Sequence, residues 1–575
     1  MTLSQQPWWK GTVYQIYPAS FKDSNNDGIG DLNGVIQELD YIKSIGVDII
    51  WLCPMYYSPQ VDMGYDISDY QSVYGPYGTV ADMEILISEV HRRDMRIILD
   101  LVVNHTSNQH AWFKESRSSK CNPKRDWYIW KPAKYVDGER RPPNNWRSNF
   151  CGSAWQWDEK TQEYYLHLFC AEQPDLNWDN EETRQAIYAE AMVFWLDKGI
   201  NGFRVDTVNM YSKHPGFLDA PVTDHSAYLQ EASSRYCNGP RLNEYLSEMN
   251  AVLAPYEAMS VGECPFTPDR DIVLGYVSSK QKRLNMVFQF DVVDVGQGKI
   301  FKYGSEPFNY ALKDLKDAIS RTQGLIRETD AWTTAFIENH DQSRSISRFG
   351  DDSLLWRERS GKMLALMLSA LSGTLFIYQG QEIGMINIPP ECPITEYKDV
   401  DTQNYYRMVA ERSDNDPREL AKAKASLQHL SRDHARTPMQ WTSSHNGGFT
   451  DDSVEPWMLV NPSAAHINVT HQTANEDSVL AFWRRTLQVR KANSDVLVDG
   501  IFEVIDVANE KVFSFLKYGP GRKALVMCNF SGSCSDIPIY PGLGQGKREL
   551  LIGNVASAQN DAVLQPWEGR LYVLG

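Results

Sequence analysis

The chain lacks any run of eighteen apolar residues, and its first ten residues carry no apolar stretch of the kind a secretory leader needs. This excludes a membrane span and predicts a cytoplasmic protein. Cysteine is sparse, nine in 575 residues, an odd number with no paired CxxC or CxH spacing. That argues for reduced thiols and against a disulfide framework or a clustered zinc site. Basic charge is also short: 57 Lys and Arg stand against 74 Asp and Glu, a net charge of -17. A surface of that sign repels nucleic acid and anionic membranes and suits a small neutral ligand.

What is abundant is aromatic and apolar. Trp, Tyr and Phe number 17, 29 and 21, and 42% of the chain is hydrophobic, enough for one large domain and one or two smaller ones. Short apolar runs at 13–18, 47–52, 96–103, 202–206, 260–263, 285–291, 333–338 and 374–378 read as strands, with helix-period segments between them. Parallel βα units in that number predict an α/β fold, a closed (β/α)8 TIM barrel with its active site on the loops after the strands. Two stretches break the rhythm. Residues 106–178 are too long for a loop and read as an inserted subdomain. From 501 the alternation becomes that of short antiparallel strands, predicting a C-terminal β-sandwich over 501–575. The barrel then comprises 1–105 and 179–500.

Charged residues fall at the ends of these apolar runs. Arg204 and Asp206 share one face of the fourth strand, where two charges are costly unless they pair or act. Glu263 and Asp341 follow the fifth and seventh strands, with His105 and His340 at strand ends beside them. Singly, each acid reads equally well as a helix cap. Together, two inward carboxylates with hydroxyl-binding donors are what glycosidic cleavage requires. Near the N-terminus, Asp23, Asn25, Asp27 and Asp31 alternate around Gly28 and form either a loop for a hard cation or a metal-free Asx turn. Gly34 at the twelfth position and the preceding strand exclude an EF-hand.

Asp100–His105, Gly202–Asp206, Gly262–Glu263 and Phe336–Asp341 together resemble the α-amylase superfamily of glycoside hydrolases across nearly the whole chain. Gln173–Asn177, with Arg432 and His434–Trp441, is similar to the oligo-1,6-glucosidase subfamily that holds yeast maltases and isomaltases. The resemblance implies a retaining mechanism. Asp206 would be the nucleophile, Glu263 the acid and base, and Asp341 the residue that grips and distorts the sugar. Arg204 would keep Asp206 ionised, while Asp62, Tyr65, His105, His340 and Arg436 would line the glucose pocket, with Phe169 and Gln173 on its wall. It also implies a structural Ca²⁺ held by Asp23, Asn25, Asp27, Asp31 and the carbonyl of Ile29, with no organic cofactor.

In the subfamily, the residue after the nucleophile is usually Val in isomaltases and Thr or Ala in maltases. Thr207 therefore points to α-1,4 links such as maltose, and to sucrose, while Val208 and Asn209 follow the isomaltase pattern and add some isomaltose cleavage. The alternative is an α-1,6-preferring isomaltase, or a transglucosylase or sucrose isomerase of the same family. Non-catalytic transporter heavy chains share the fold, but they carry a membrane span and have lost the acids that this chain keeps. A monomer acting on short α-glucosides is the expectation.

Overall fold

The computed structural model describes residues 7–304, 310–537, 548–555 and 562–574. The first residues of the opening stretch, 1–6, lie outside them. Eight parallel strands form one sheet. They are β1 (Thr12–Ile16), β2 (Ile49–Leu52), β3 (Arg96–Leu101), β4 (Gly202–Val205), β5 (Met259–Cys264), β6 (Met286–Gln289), β7 (Thr334–Ala335) and β8 (Thr374–Tyr378). Their order is β6-β5-β4-β3-β2-β1-β8-β7. The two ends meet through a side chain: Thr334 Oγ1 donates to the carbonyl of Val287 at 3.0 Å, which closes the ring.

The strands are apolar on both faces because helices cover the outside and side chains fill the inside. Trp51 stacks on Phe288 at 5.6 Å, and Phe376 and Phe336 meet Phe288 edge-on at 4.6 and 4.9 Å. Four aromatic rings thus plug the barrel below the loops that carry the acids.

Several elements differ from the sequence expectation for local reasons. The segment before Gly46 is two helices, Leu32–Gln37 and Leu39–Ile45, because the backbone leaves helical geometry at Glu38 (φ -102°, ψ 10°). Gly46 then caps the second helix in the left-handed region, as its position suggests. The seventh strand shrinks to Thr334–Ala335, so the chain has left the sheet before it reaches Asp341. The helix before β4 holds a π-helical stretch, Ile187–Val193.

The 106–178 excursion carries its own three-stranded antiparallel sheet. It does not complete its core alone. Trp146, Trp155 and Leu166 pack with Met210, Ala220 and Tyr236, which belong to a second long excursion after β4 that the sequence reading missed. At the C-terminus, five antiparallel strands run in the order β9-β10-β11-β13-β12: β9 (Ile501–Val504), β10 (Val512–Gly519), β11 (Arg522–Asn529), β12 (Arg548–Gly553) and β13 (Gly569–Leu574). Leu564, from a separate two-stranded ribbon, packs on Leu525, Met527 and Tyr572.

Gly202 starts β4 at φ +145°, and a Cβ there would lie 2.1 Å from the carbonyl oxygen of Met259 on β5. Both the conformation and the space demand glycine. Gly202→Ala is expected to lose about 3 kcal/mol of stability, read as a lower urea midpoint. An unchanged midpoint would show that β4 and β5 can separate at this point without cost.

Candidate active site

The loops at the C-terminal ends of the strands surround a cavity of about 300 Å³. Asp206, Glu263 and Asp341 all reach it, as do Asp62, Tyr65, His105, Phe169 and Thr207. Gln173, Arg204, His340 and Arg436 do not line it. They stand one layer behind and are buried.

Arg204 organises the floor. It is 1% exposed, and one guanidinium nitrogen, Nη1, meets Asp100 Oδ1 at 2.5 Å and Asp206 Oδ1 at 2.7 Å. The other, Nη2, meets Glu263 Oε1 at 2.8 Å. Three carboxylates from β3, from the end of β4 and from β5 therefore share one cation. Alternation along β4 explains the placement: Arg204 and Asp206 point into the barrel mouth while Phe203 and Val205 point outward to the helices.

Thr207 ties the same two acids from the other side. Its backbone N–H donates to Glu263 Oε2 at 3.1 Å, and its hydroxyl donates to Asp206 Oδ2 at 3.2 Å. To do so it adopts the left-handed region, φ 38° and ψ 42°, uncommon for a β-branched residue. Its hydroxyl thus faces the nucleophile candidate in addition to the cavity it lines. Asp206 Oδ1 is committed to Arg204, which leaves Oδ2 as the oxygen that can attack.

Burial sets the protonation states. It pushes Glu263 up to about 8, opposed by Arg204 and reinforced by Asp206 and Asp341. It pushes Asp206 up only to about 6, again against Arg204. Near pH 7 the pair is one protonated acid beside one carboxylate, the division of labour that double displacement needs.

The opposite wall is a second network. Burial alone would raise Asp341, but the Arg432 and Arg436 guanidiniums outweigh it and hold the carboxyl well below the usual range. Arg432 and Arg436 reach Asp341 Oδ1 at 3.2 and 3.0 Å, and both also bind Asp399 Oδ2, at 2.7 and 2.8 Å. Arg432 continues to Asp62 Oδ1 at 3.0 Å. His340, pushed down to about 3 by burial, is neutral. It stacks on Tyr65 at 5.2 Å and takes Gln15 Nε2 on its Nδ1 at 2.8 Å. Gln173 donates to Asp62 Oδ2 at 3.0 Å and so connects the insert to this wall.

Asp399 and the role of Arg432 escaped the sequence reading. Asp399 reads as an ordinary N-cap and does cap the helix Val400–Arg412, so nothing local marks it. Arg432 was visible only as part of a motif.

The Asp23–Asp31 loop is curled by its own Asx turns. Asp23 accepts from the N–H groups of Asn25, Asn26 and Gly28, Asn25 from Asp27, and Asp27 from Ile29. Among the described residues no three His, Cys, Asp or Glu side chains form a metal-holding group.

Residues 15–500 match the alpha-amylase family in its catalytic domain. The chain is 50% identical over 579 residues to an alpha-glucosidase of Candida albicans, covering 100% of both. It is 46% identical to oligo-1,6-glucosidase IMA2 of Saccharomyces cerevisiae, covering 99% of this chain and 98% of that one. Among solved structures it is similar to a trehalose-6-phosphate hydrolase of Bacillus licheniformis, with a TM-score of 0.91, 38% identity and 99% and 100% coverage. An isomaltulose synthase of Klebsiella gives a TM-score of 0.91 at 36% identity, with 99% of each chain covered.

A pH profile tests the protonation scheme. kcat/KM is expected to fall below about 6 as Asp206 gains a proton and above about 8 as Glu263 loses its own. In Glu263→Gln the alkaline limb should vanish along with most of the rate. An alkaline limb that survives that substitution would assign it to another group.

Proposed function

The chain belongs to the alpha-amylase family, and on that premise we propose that it is an exo-acting, retaining α-glucosidase that releases glucose from the non-reducing end of short α-glucosides. The observation that carries this is the clamp on Asp206 and Glu263. Two carboxyls bridged by one guanidinium and one threonine are held close to each other, as double displacement requires, where the pair stands about 5–5.5 Å apart against about 6.5–9.5 Å in inverting enzymes.

Asp206 Oδ2 attacks the anomeric carbon as Glu263 protonates the leaving oxygen. The glycosidic bond breaks, and a covalent glucosyl–Asp206 ester forms. Glu263, now a carboxylate, takes a proton from water, whose oxygen displaces Asp206 with a second inversion. Asp341, kept ionised by Arg432 and Arg436, accepts hydrogen bonds from sugar hydroxyls and favours the positive ring of the transition state. The Arg432–Asp62 ion pair lines the cavity wall.

Maltose and sucrose are the preferred substrates in this reading, with weaker cleavage of isomaltose, because Thr207 places a polar group beside the leaving sugar. A cytoplasmic monomer is the accompanying proposal. All nine cysteines are free thiols, and among the described residues no helix is long and apolar enough to cross a membrane.

Incubation with maltose, isomaltose and sucrose, followed by NMR, tests the reading. α-Glucose should be the first product, with maltose and sucrose consumed faster than isomaltose. Asp206→Asn should remove several orders of magnitude of rate. β-Glucose as first product would exclude double displacement. Transfer of the glucosyl group to sugar in place of water, at dilute substrate, would favour the isomerase alternative.

We further propose that the Asp23–Asp31 loop takes a structural Ca²⁺ through Asp23, Asn25, Asp27, Asp31 and the carbonyl of Ile29, at about 2.3–2.6 Å. The donors are all oxygen and come from one glycine-bent loop, which is the ligand chemistry of a hard cation. Asp23 Oδ2 also accepts from Thr450 Oγ1 at 2.6 Å, so the loop anchors a distant segment. Chelation should lower Tm by several degrees and leave kcat at 25 °C unchanged. No shift in Tm, with no Ca²⁺ found by elemental analysis, would leave a metal-free turn.

A further inference from the structure

Gln342 follows Asp341 directly, yet the two side chains face different neighbours. Asp341 turns to Arg432 and Arg436, which lie beyond β8. Gln342 turns the other way, toward Arg348 and the loop after β6. Arg348 Nη1 donates to Gln342 Oε1 at 2.7 Å. Its Nη2 donates to the carbonyls of Val293 and Val295, the latter at 3.0 Å. In the barrel β6 adjoins β5, the strand that carries Glu263. Gln342 thus belongs to the cavity wall on the side of the acid. The loops after β2 and β3, which hold Asp62, Tyr65 and His105, lie across the barrel.

Arg348 is a buried cation in neutral company. It is 3% exposed, and its three acceptors are two backbone carbonyls and one amide oxygen. Burial lowers it only to about 10, so it is charged at neutral pH. A guanidinium donates and never accepts. The Gln342 amide can therefore meet it through Oε1 alone, and Nε2 must point the other way. There Nε2 has no partner among the described residues and is not sealed from solvent, although Gln342 as a whole is 3% exposed. The space it meets is the cavity, which Gln342 lines. The positive charge on Oε1 also polarises the amide and strengthens its N–H groups as donors.

We propose that Gln342 sets preference for the leaving sugar by donating from Nε2 to one of its oxygens, with Arg348 as the positioning residue that holds the amide in that sense. The proposal deepens the α-glucosidase reading and rests on it. Glu263 stands at the oxygen that departs, so the wall beside it faces the leaving group. A sugar hydroxyl or ring oxygen accepts from Nε2 there, and a leaving group without such an oxygen gains nothing from it. Two other roles compete: a donor to the glucose held by Asp341, and a brace that only satisfies Arg348.

α-Glucosyl fluoride separates the three, because it forms the same glucosyl–Asp206 ester and its leaving group carries no oxygen. In Gln342→Met, kcat/KM for maltose should fall on the order of tenfold, the loss of one hydrogen bond. For the fluoride it should fall by no more than about threefold, and that turnover shows the variant to be folded. Equal losses on both substrates would assign Gln342 to the glucose or to the fold, and an unchanged rate on maltose would leave it a brace. Either result overturns the proposal.

Arg348→Met releases the amide and should lower the maltose-to-fluoride ratio of kcat/KM. In the Gln342→Met background, Arg348→Met, or Arg348→Lys where the former does not fold, should leave that ratio unchanged. An effect of the same size in both backgrounds would overturn the positioning role. A wild type that cleaves neither substrate would sink the α-glucosidase reading itself, a result distinct from a wild type that cleaves both and a variant that slows them alike.

Discussion

One guanidinium carries the constraint on which the site depends. Arg204 is enclosed at the mouth of the barrel with Asp100, Asp206 and Glu263 around it. The three acids would repel one another without it, and removing one partner of a buried ion pair typically costs about 3–5 kcal/mol. Lysine could not substitute. A planar fork with separate Nη1 and Nη2 holds Asp206 and Glu263 at fixed spacing, whereas a single ammonium is a point charge on a flexible stem. Asp100 has a part in this that its position below the cavity conceals. Trp51 Nε1 donates to its Oδ2 at 2.9 Å, so the aromatic plug of the barrel fixes Asp100, and Asp100 fixes the guanidinium. The packing of the core and the spacing of the reactive pair are thereby one problem.

The wall around Asp341 obeys the same rule with the signs distributed differently. Two arginines serve three acids, Asp62, Asp341 and Asp399, and Asp399 has no access to the cavity. It keeps Arg432 and Arg436 paired when a neutral sugar occupies the site, so neither is left as an uncompensated cation. The outcome is a carboxylate at Asp341 that stays ionised at any working pH, beside a Glu263 that does not. Identical functional groups within one cavity are thus pushed to opposite ends of the titration range by which of them has two cations and which shares one.

Much of this was legible in the sequence because it lies on strands. Strand-end residues repeat with the βα rhythm, so Arg204, Asp206 and Glu263 announce themselves through alternation on short apolar runs. Asp341 was found by its motif, although its strand is only Thr334–Ala335. Three residues expected in the pocket, Gln173, His340 and Arg436, instead lie behind it. Residue type and chain position cannot distinguish a side chain that touches a ligand from one that holds the side chain that does. Asp399 was illegible for a further reason. Its partners Arg432 and Arg436, and the acids Asp62 and Asp341 that these arginines also serve, come from separate parts of the chain, and no local pattern encodes where loops converge. The same applies to the core of the insert, whose missing half is supplied from beyond β4.

Thr207 shows how strain and function share a residue. A β-branched side chain at φ 38°, ψ 42° costs on the order of 1–3 kcal/mol, a cost that persists only when the surroundings over-determine it. Here they do. The turn directs the amide N–H at Glu263 and the hydroxyl at Asp206, and Tyr211 returns its own hydroxyl to the Asp206 carbonyl at 2.9 Å. Glycine would relieve the strain and lose the hydroxyl, while valine would keep the strain and lose the bond to Oδ2. Linkage preference and nucleophile orientation consequently cannot be varied independently at this position. A change made to favour a different leaving sugar also alters the oxygen that attacks, so a substitution at 207 shifts rate and linkage preference together.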